Sequence, residues 1–253
     1  AARMGTPAPS GTTWKNGFRV TFNRPFEESK VLLEALGVPY WEVLRALKTH
    51  TTPRLEAAYL GLSQEEWNIL ITSDTHLNDL RDLRFAFPPE FPHPDEPGYF
   101  MLTKCGVQEF QKATGLSREQ TEILLNLPYL RQQFPTVKLI RQAVAGEIQV
   151  YEEWIEGLAD AASLDYIHRF VRLWRHLPKW SLRELDLAVR RVTLINAGGL
   201  ADISRMYEVQ QRFVLTFEEA LVMQGDIPNA ALYTRKIHNA FLNTSVEEPL
   251  PGM

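Results

Sequence analysis

Residues 163–187 read Ser-Leu-Asp-Tyr-Ile-His-Arg-Phe-Val-Arg-Leu-Trp-Arg-His-Leu-Pro-Lys-Trp-Ser-Leu-Arg-Glu-Leu-Asp-Leu, the strongest helical signal in the chain. Apolar side chains recur there every three or four residues, so they share one face of a helix. Pro178 ends that helix and Ser181 begins the next. Such a short link predicts two neighbouring antiparallel helices, an αα-hairpin. The predicted core residues of this hairpin are Leu164, Ile167, Phe170, Val171, Trp174 and Leu187.

The same helix-start signal occurs at four places along the chain. In each, a Ser or Thr is followed three residues later by Glu or Gln, and an apolar run comes next. The hydroxyl accepts a hydrogen bond from a backbone N–H of the first turn, and the acid or amide reaches back to the cap N–H. We therefore expect four helices to begin at these pairs. The pairs are Ser63 with Glu66, Ser117 with Gln120, Ser181 with Glu184 and Thr216 with Glu219.

Most other segments also carry helical signals, whereas β alternation is confined to the short run Phe18–Phe22. The helix that begins at Ser181 is expected to run to Asn196, with Gly198 and Gly199 as its left-handed end. The predicted fold class is therefore all-α, with packed helical hairpins that form part of a larger helical shell. Further helices are expected at Glu27–Leu36, Pro39–Thr49, Pro53–Tyr59, Ser63–Thr72 and Leu200–Phe213.

Composition divides the chain into a tail and one domain. Residues 1–14 are rich in Ala, Gly, Pro, Ser and Thr, which is typical of a flexible tail. Residues 15–253 are expected to form one helical domain. Within it, residues 85–98 contain five prolines, so this stretch is predicted to be a loop rather than a helix or a central strand.

Several classes of function are disfavoured by composition. A formal net charge of −4 does not favour nucleic-acid binding, and no apolar run approaches the length of a membrane span. A single cysteine, Cys105, cannot form an internal disulfide, and we expect a buried, inert thiol. The chain has no phosphate-binding glycine motif and no His or Cys spacing typical of zinc sites. We therefore expect no catalytic residue, no cofactor and no metal.

A cluster of basic residues lies in the predicted helix at 163–176 and just after it. This cluster has two possible interpretations. It is either a face that docks an anionic lipid, a glycan or an acidic protein surface, or a solvated face whose long stems cover apolar groups. The second interpretation is the more common one for such clusters. The residues of this candidate interaction face are Arg169, Arg172, Arg175, Lys179 and Arg183.

Residues 164–187 resemble a stretch in the A component of Tc (toxin complex) insecticidal toxins. Both read Leu-x-x-x-His-Arg-Phe-x-Arg-Leu-Trp-Arg, followed by Trp-Ser-x-x-Glu-Leu-Asp. The resemblance spans about residues 18–249 of this chain but only a small fraction of a full A component. The chain is therefore expected to be an excised or processed piece of a longer protein. Four other segments are similar to the family in the same order: Phe26–Pro39, Glu56–Trp67, Phe110–Leu125 and Ala231–Asn243.

The resemblance implies a structural role. Tc A components are non-enzymatic, secreted or cell-surface homo-oligomers in which a helical shell encloses a translocation channel and supports receptor-binding domains. This chain would then pack against the remaining domains of the same toxin, with a host-cell surface receptor as a further partner. Two alternatives remain: a stand-alone helical module that docks a host glycan, lipid or protein, and an unrecognised enzyme that uses Cys105 or a histidine.

Overall fold

A computed structural model describes residues 23–47, 52–75, 85, 92–93, 96–100, 105–143, 151–193 and 195–223. These residues form eleven helices and five short strands. Helices α1–α4 come first, three strands and three short helices follow, and two strands then lead into four final helices. The helices are α1 (Arg24–Ala35), α2 (Tyr40–Ala46), α3 (Thr52–Tyr59), α4 (Gln64–Ile71), α5 (Val107–Thr114), α6 (Arg118–Leu125), α7 (Pro128–Gln133), α8 (Ala161–Arg175), α9 (Leu182–Val192), α10 (Ala197–Phe213) and α11 (Phe217–Met223).

The molecule is mostly helical, but the all-α prediction is wrong in one respect. A three-stranded antiparallel sheet joins β3 (Cys105–Gly106), β5 (Tyr151–Glu156) and β4 (Lys138–Ala143), with β5 in the centre. The register pairs Leu139 and Cys105 with Ile155, which is fully buried. Strand β4 is largely exposed and mixes polar with apolar residues, so its sequence gives little period-two signal. Pairing with a neighbouring strand, rather than local propensity, makes this segment a strand.

The proline-rich stretch 85–98 is only partly a loop. Strands β1 (Pro92–His93) and β2 (Glu96–Phe100) form a two-stranded antiparallel ladder. Both strands are edges, where proline's missing N–H breaks no ladder bond that a central strand would need. Pro88, Pro89 and Pro94 lie outside the described residues. The predicted tail 1–14, the strand signal at 18–22 and the family-like segment at 231–243 do so as well.

The four predicted helix starts are confirmed, and all are reciprocal capping boxes. The hydroxyls at residues 63, 117, 181 and 216 accept from the N3 backbone N–H at 3.1–3.2 Å, and each N3 side chain accepts from the cap N–H. The predicted end of the Ser181 helix is wrong. The helix ends at Val192, and Gly198 and Gly199 lie in the first turn of α10. Asn196 caps α10 by accepting from Gly199 N–H at 2.8 Å, which starts a new helix there.

Helix α8 is the centre of the core. Four of the six predicted core residues, Leu164, Ile167, Phe170 and Val171, are fully buried. Trp174 and Leu187 are only partly buried and pack against the same cluster. That cluster draws residues from helices α3 to α11 and from β3 and β5. None of the described helices is long and apolar enough to cross a membrane.

The predicted αα-hairpin is looser than expected. Helices α8 and α9 are consecutive, but α8 packs chiefly on α4, while α9 packs on α6, α7 and α10. Helix α8 therefore packs on a helix far away in the sequence, whereas α9 packs on its successor α10 and on two earlier helices. The result is a mostly helical structure with a small sheet.

Candidate functional site

Helix α8 carries a buried ion pair on the side that faces α4. Arg169 Nη2 lies 2.6 Å from Asp165 Oδ2, and their side chains are only 12% and 3% exposed. The same guanidinium donates to the carbonyl of Leu70, at the end of α4, and to that of Ile195, before α10. Arg169 thus joins three separate parts of the chain at one point.

The carboxylate of this pair is fully occupied by donors. Asp165 accepts from the Ser73 hydroxyl and from the Asp74 backbone N–H, both at 3.0 Å, in addition to Arg169. Each carboxylate oxygen therefore has at least one partner inside the protein. These hydrogen bonds hold the segment after α4 against α8.

A second buried charged cluster joins α4 to the end of α8. Glu66 Oε1 lies 3.2 Å from His176 Nε2, and Glu66 Oε2 accepts from the Ser63 backbone N–H. Burial raises the pKa of Glu66, but His176, the Ser63 N–H and the Arg172 charge together hold it below its usual value. Arg172 is itself only 3% exposed. His176 and the Arg172 charge thus hold the Glu66 carboxylate, which is part of the Ser63 capping box, against the end of α8. This arrangement supports a structural role for the cluster.

The candidate basic face is not one surface. Arg169 and Arg172 lie inside the protein, as described above. Arg175 donates to the Thr114 carbonyl and Lys179 donates to Gln211, so two of the exposed members already serve internal contacts. Arg183 is exposed on α9. An Arg172→Glu exchange would consequently report on folding rather than on docking, because it places a second buried carboxylate beside Glu66.

The sequence-based interpretation of Cys105 as a buried thiol is confirmed. Its side chain is 2% exposed, and burial, with a smaller contribution from Glu109, raises its pKa to about 12. The thiolate, not the thiol, is the nucleophile. The described residues also contain no group of three His, Cys, Asp or Glu side chains arranged to hold a metal ion.

We expect Cys105 to react with Ellman's reagent about a thousandfold more slowly than an exposed thiol of ordinary pKa, because its thiolate is scarce at neutral pH. The measurement is the labelling rate at pH 7.5, with the same chain in guanidinium chloride as the control. Equal rates for the folded and unfolded chain would revive the interpretation of Cys105 as a nucleophile.

Asp186 is a buried carboxyl at the bottom of a groove of about 620 Å³ between α6 and α9. It accepts from the Tyr129 backbone N–H at 3.3 Å and so caps α7, which has no cap residue of its own. Burial raises the pKa of Asp186 to about 6, although the Tyr129 N–H and the Arg190 charge oppose the shift. The carboxyl is therefore more easily protonated in the folded chain than in the unfolded one.

This shift predicts a pH-dependent stability. The protonated form of Asp186 favours folding. Its contribution to the free energy of unfolding is therefore complete below about pH 4 and is lost as the pH rises through about 6. Asp186→Asn keeps an oxygen for the Tyr129 N–H but cannot ionise. We expect its advantage over the native chain to grow between pH 4 and pH 7.5 by up to about 3 kcal/mol in urea melts. Asp202→Asn, at an exposed carboxylate, is the control; a parallel pH response in both variants would contradict the assignment.

A groove that sequence reasoning missed lies in the first and last parts of the described chain. It has a volume of about 770 Å³ and lies between α2, α3 and α10. Trp41, Tyr59 and Tyr207 line it with aromatic rings, and we call it the aromatic groove. Trp41 and Tyr59 lie on consecutive helices, but Tyr207 comes from α10, so no local motif links the three rings. Its polar lining consists of Glu42, Arg45, Glu208, Gln211 and Arg212.

The structure therefore offers two buried ionic clusters with structural roles, a shielded thiol, a helix-capping carboxyl and one aromatic groove. No protein-family model, curated protein or solved structure matches the chain.

Proposed function

We propose that this chain is a non-enzymatic structural segment of a large bacterial toxin A component of the Tc type, where its helices form part of the shell around a translocation channel. The proposal rests on the ordered resemblance of five segments to that family. It implies a secreted or cell-surface protein that is homo-oligomeric at full length. The described fold is compatible with this role because the buried groups connect helices to one another instead of surrounding a substrate cavity.

One observation of the structure supports the proposal most: several large apolar side chains are exposed to solvent. Helix α1 contains no buried residue, and Leu32 on it is 66% exposed. A monomer would leave these side chains in water, whereas a larger assembly would cover them. The exposed large apolar residues are Val31, Leu32, Leu36, Leu47, Phe213, Val214 and Met223.

The test places a charge on this surface. We expect Leu32→Glu to leave the unfolding free energy of the 253-residue chain unchanged within about 0.5 kcal/mol, because the side chain is exposed. In the longer product of the same reading frame, the exchange should reduce the assembled fraction seen by native mass spectrometry and electron microscopy. Gln133→Glu, at an exposed polar position of α7, is the control.

Two results would reject the proposal. One is a reading frame that stops at Met253, and the other is a full-length product that stays monomeric with or without the Leu32 exchange. The alternative of a stand-alone binding module gains no support from the candidate basic face, since that face is not continuous. Its remaining support is the aromatic groove.

A further inference from the structure

We propose that the aromatic groove binds a neutral saccharide, which stacks on the Trp41–Tyr59 pair and hydrogen-bonds to Glu42 and Arg45. This site is independent of the proposed shell function. It would operate equally in a monomer and in an assembly that leaves the groove open.

The floor of the groove is a continuous aromatic platform. The rings of Trp41 and Tyr59 lie with centroids 4.9 Å apart and planes tilted by 35°. The two rings contact each other, and both line the groove. Trp41 and Tyr59 are only partly buried, so the platform is accessible. The apolar C–H face of a pyranose ring matches such a platform, because aromatic faces carry a negative quadrupole and attract polarised C–H groups.

The platform is held in place before any ligand arrives. Burial, with a smaller contribution from the nearby Glu208 carboxylate, raises the pKa of Tyr59 to about 12. Tyr207 packs edge-on against the buried ring of Trp180, at 5.7 Å between centroids. Trp180 in turn donates its indole N–H to Gln210. Rigid aromatic groups lose little conformational entropy on binding, so a modest ligand is bound more tightly than it would be by mobile rings.

The polar groups of the groove suit hydroxyls rather than a charged ligand. Its two arginines, Arg45 and Arg212, are balanced by two glutamates, Glu42 and Glu208. In the part of the chain that the structure describes, Glu42 and Arg45 form no ion pair with another residue, and the Trp41 indole N–H has no acceptor. A saccharide hydroxyl both donates and accepts, so adjacent hydroxyls can satisfy a carboxylate and a guanidinium together.

The spacing of the Trp41–Tyr59 pair favours a saccharide over a prolyl ring held between these two side chains. A prolyl ring binds between separated aromatic side chains, and a slot for it needs roughly 7 Å between ring planes, which is two van der Waals contacts. The 4.9 Å between Trp41 and Tyr59 leaves no such slot. The volume of about 770 Å³ falls within the range of about 300–1,000 Å³ that is usual for small-ligand sites.

The test is a saturation-transfer NMR titration of the 253-residue chain with methyl glucoside, maltose, cellobiose and lactose. We expect saturable transfer to the ring protons of at least one of these sugars. Arg45→Ala should weaken that binding about tenfold, the size expected for a lost charge-assisted hydrogen bond. Trp41→Ala should abolish it. Arg131→Ala, at an exposed arginine of α7 away from the groove, should leave it unchanged.

Arg45 is exposed and forms no described ion pair, so we expect Arg45→Ala to fold normally. This variant therefore tests the proposal even if Trp41→Ala unfolds. Circular dichroism of both variants checks this. The proposal is overturned if no sugar of the panel saturates at concentrations up to about 10 mM. It is also overturned if binding survives both groove exchanges, or if a proline-rich peptide binds through Trp41 while the sugars do not.

Discussion

Replacing Phe170 by alanine is expected to lower the free energy of unfolding by about 3–5 kcal/mol. The ring is fully buried on α8 and packs against Tyr166, with centroids 5.7 Å apart. Its removal takes away the transfer free energy of a large apolar group and leaves a cavity that rigid helices on several sides cannot close. Urea denaturation followed by circular dichroism gives the free energy directly.

Phe213→Ala is the matched control, because the same ring is removed from a position that is 59% exposed. It should cost less than about 1 kcal/mol. Trp174→Ala should fall between the two, since Trp174 is only partly buried but donates its indole N–H to the Trp180 carbonyl at 2.8 Å. A loss below about 1 kcal/mol for Phe170→Ala would show that α8 is not at the centre of the core.

Arg169→Leu is expected to cost about 3–5 kcal/mol, because it leaves the buried Asp165 carboxylate without its counter-charge. It also removes the donor to the carbonyls of Leu70 and Ile195. The second exchange Asp165→Asn in the same chain should recover part of this loss, since it removes the unpaired charge. A double-mutant cycle over the two positions measures their coupling.

The chain provides a closely matched control for this pair. Arg24 and Glu28 also lie four residues apart, with Arg24 Nε 2.6 Å from Glu28 Oε1, but their side chains are 74% and 56% exposed. Arg24→Leu should therefore change stability by no more than about 0.5 kcal/mol. Similar costs for the buried and the exposed pair would contradict the structural role given to Arg169.

Local signals predicted the helix starts well. Each capping box needs only a hydroxyl and an acid or amide three residues apart, so the information lies within one turn, and all four were found where expected. The end of the Ser181 helix was predicted wrongly because the two glycines were interpreted without the cap residue that precedes them. Gly198 and Gly199 looked like a stop, but Asn196 recruits them into the next helix.

Sequence reasoning was less informative about the site residues. Arg169 and Arg172 lie among other cations on a helix, a pattern typical of a solvated face, and their partners Asp165 and Glu66 come from the buried side of α8 and from α4. The aromatic groove gave no signal at all. Its rings come from α2, α3 and α10, and only folding brings them to one groove.

The amino-acid sequence by itself determined where four of the helices begin, that α8 has a strongly apolar side, and that Cys105 has no cysteine partner within the chain. These properties depend on spacing along the chain and on side-chain chemistry. Tertiary structure alone decided which helices pack together, which charges are buried, that residues 138–143 become a strand, and that three distant rings line one groove. Burial and pairing depend on residues far away in the sequence, and the free energy of removing a group from water is set by all its neighbours at once.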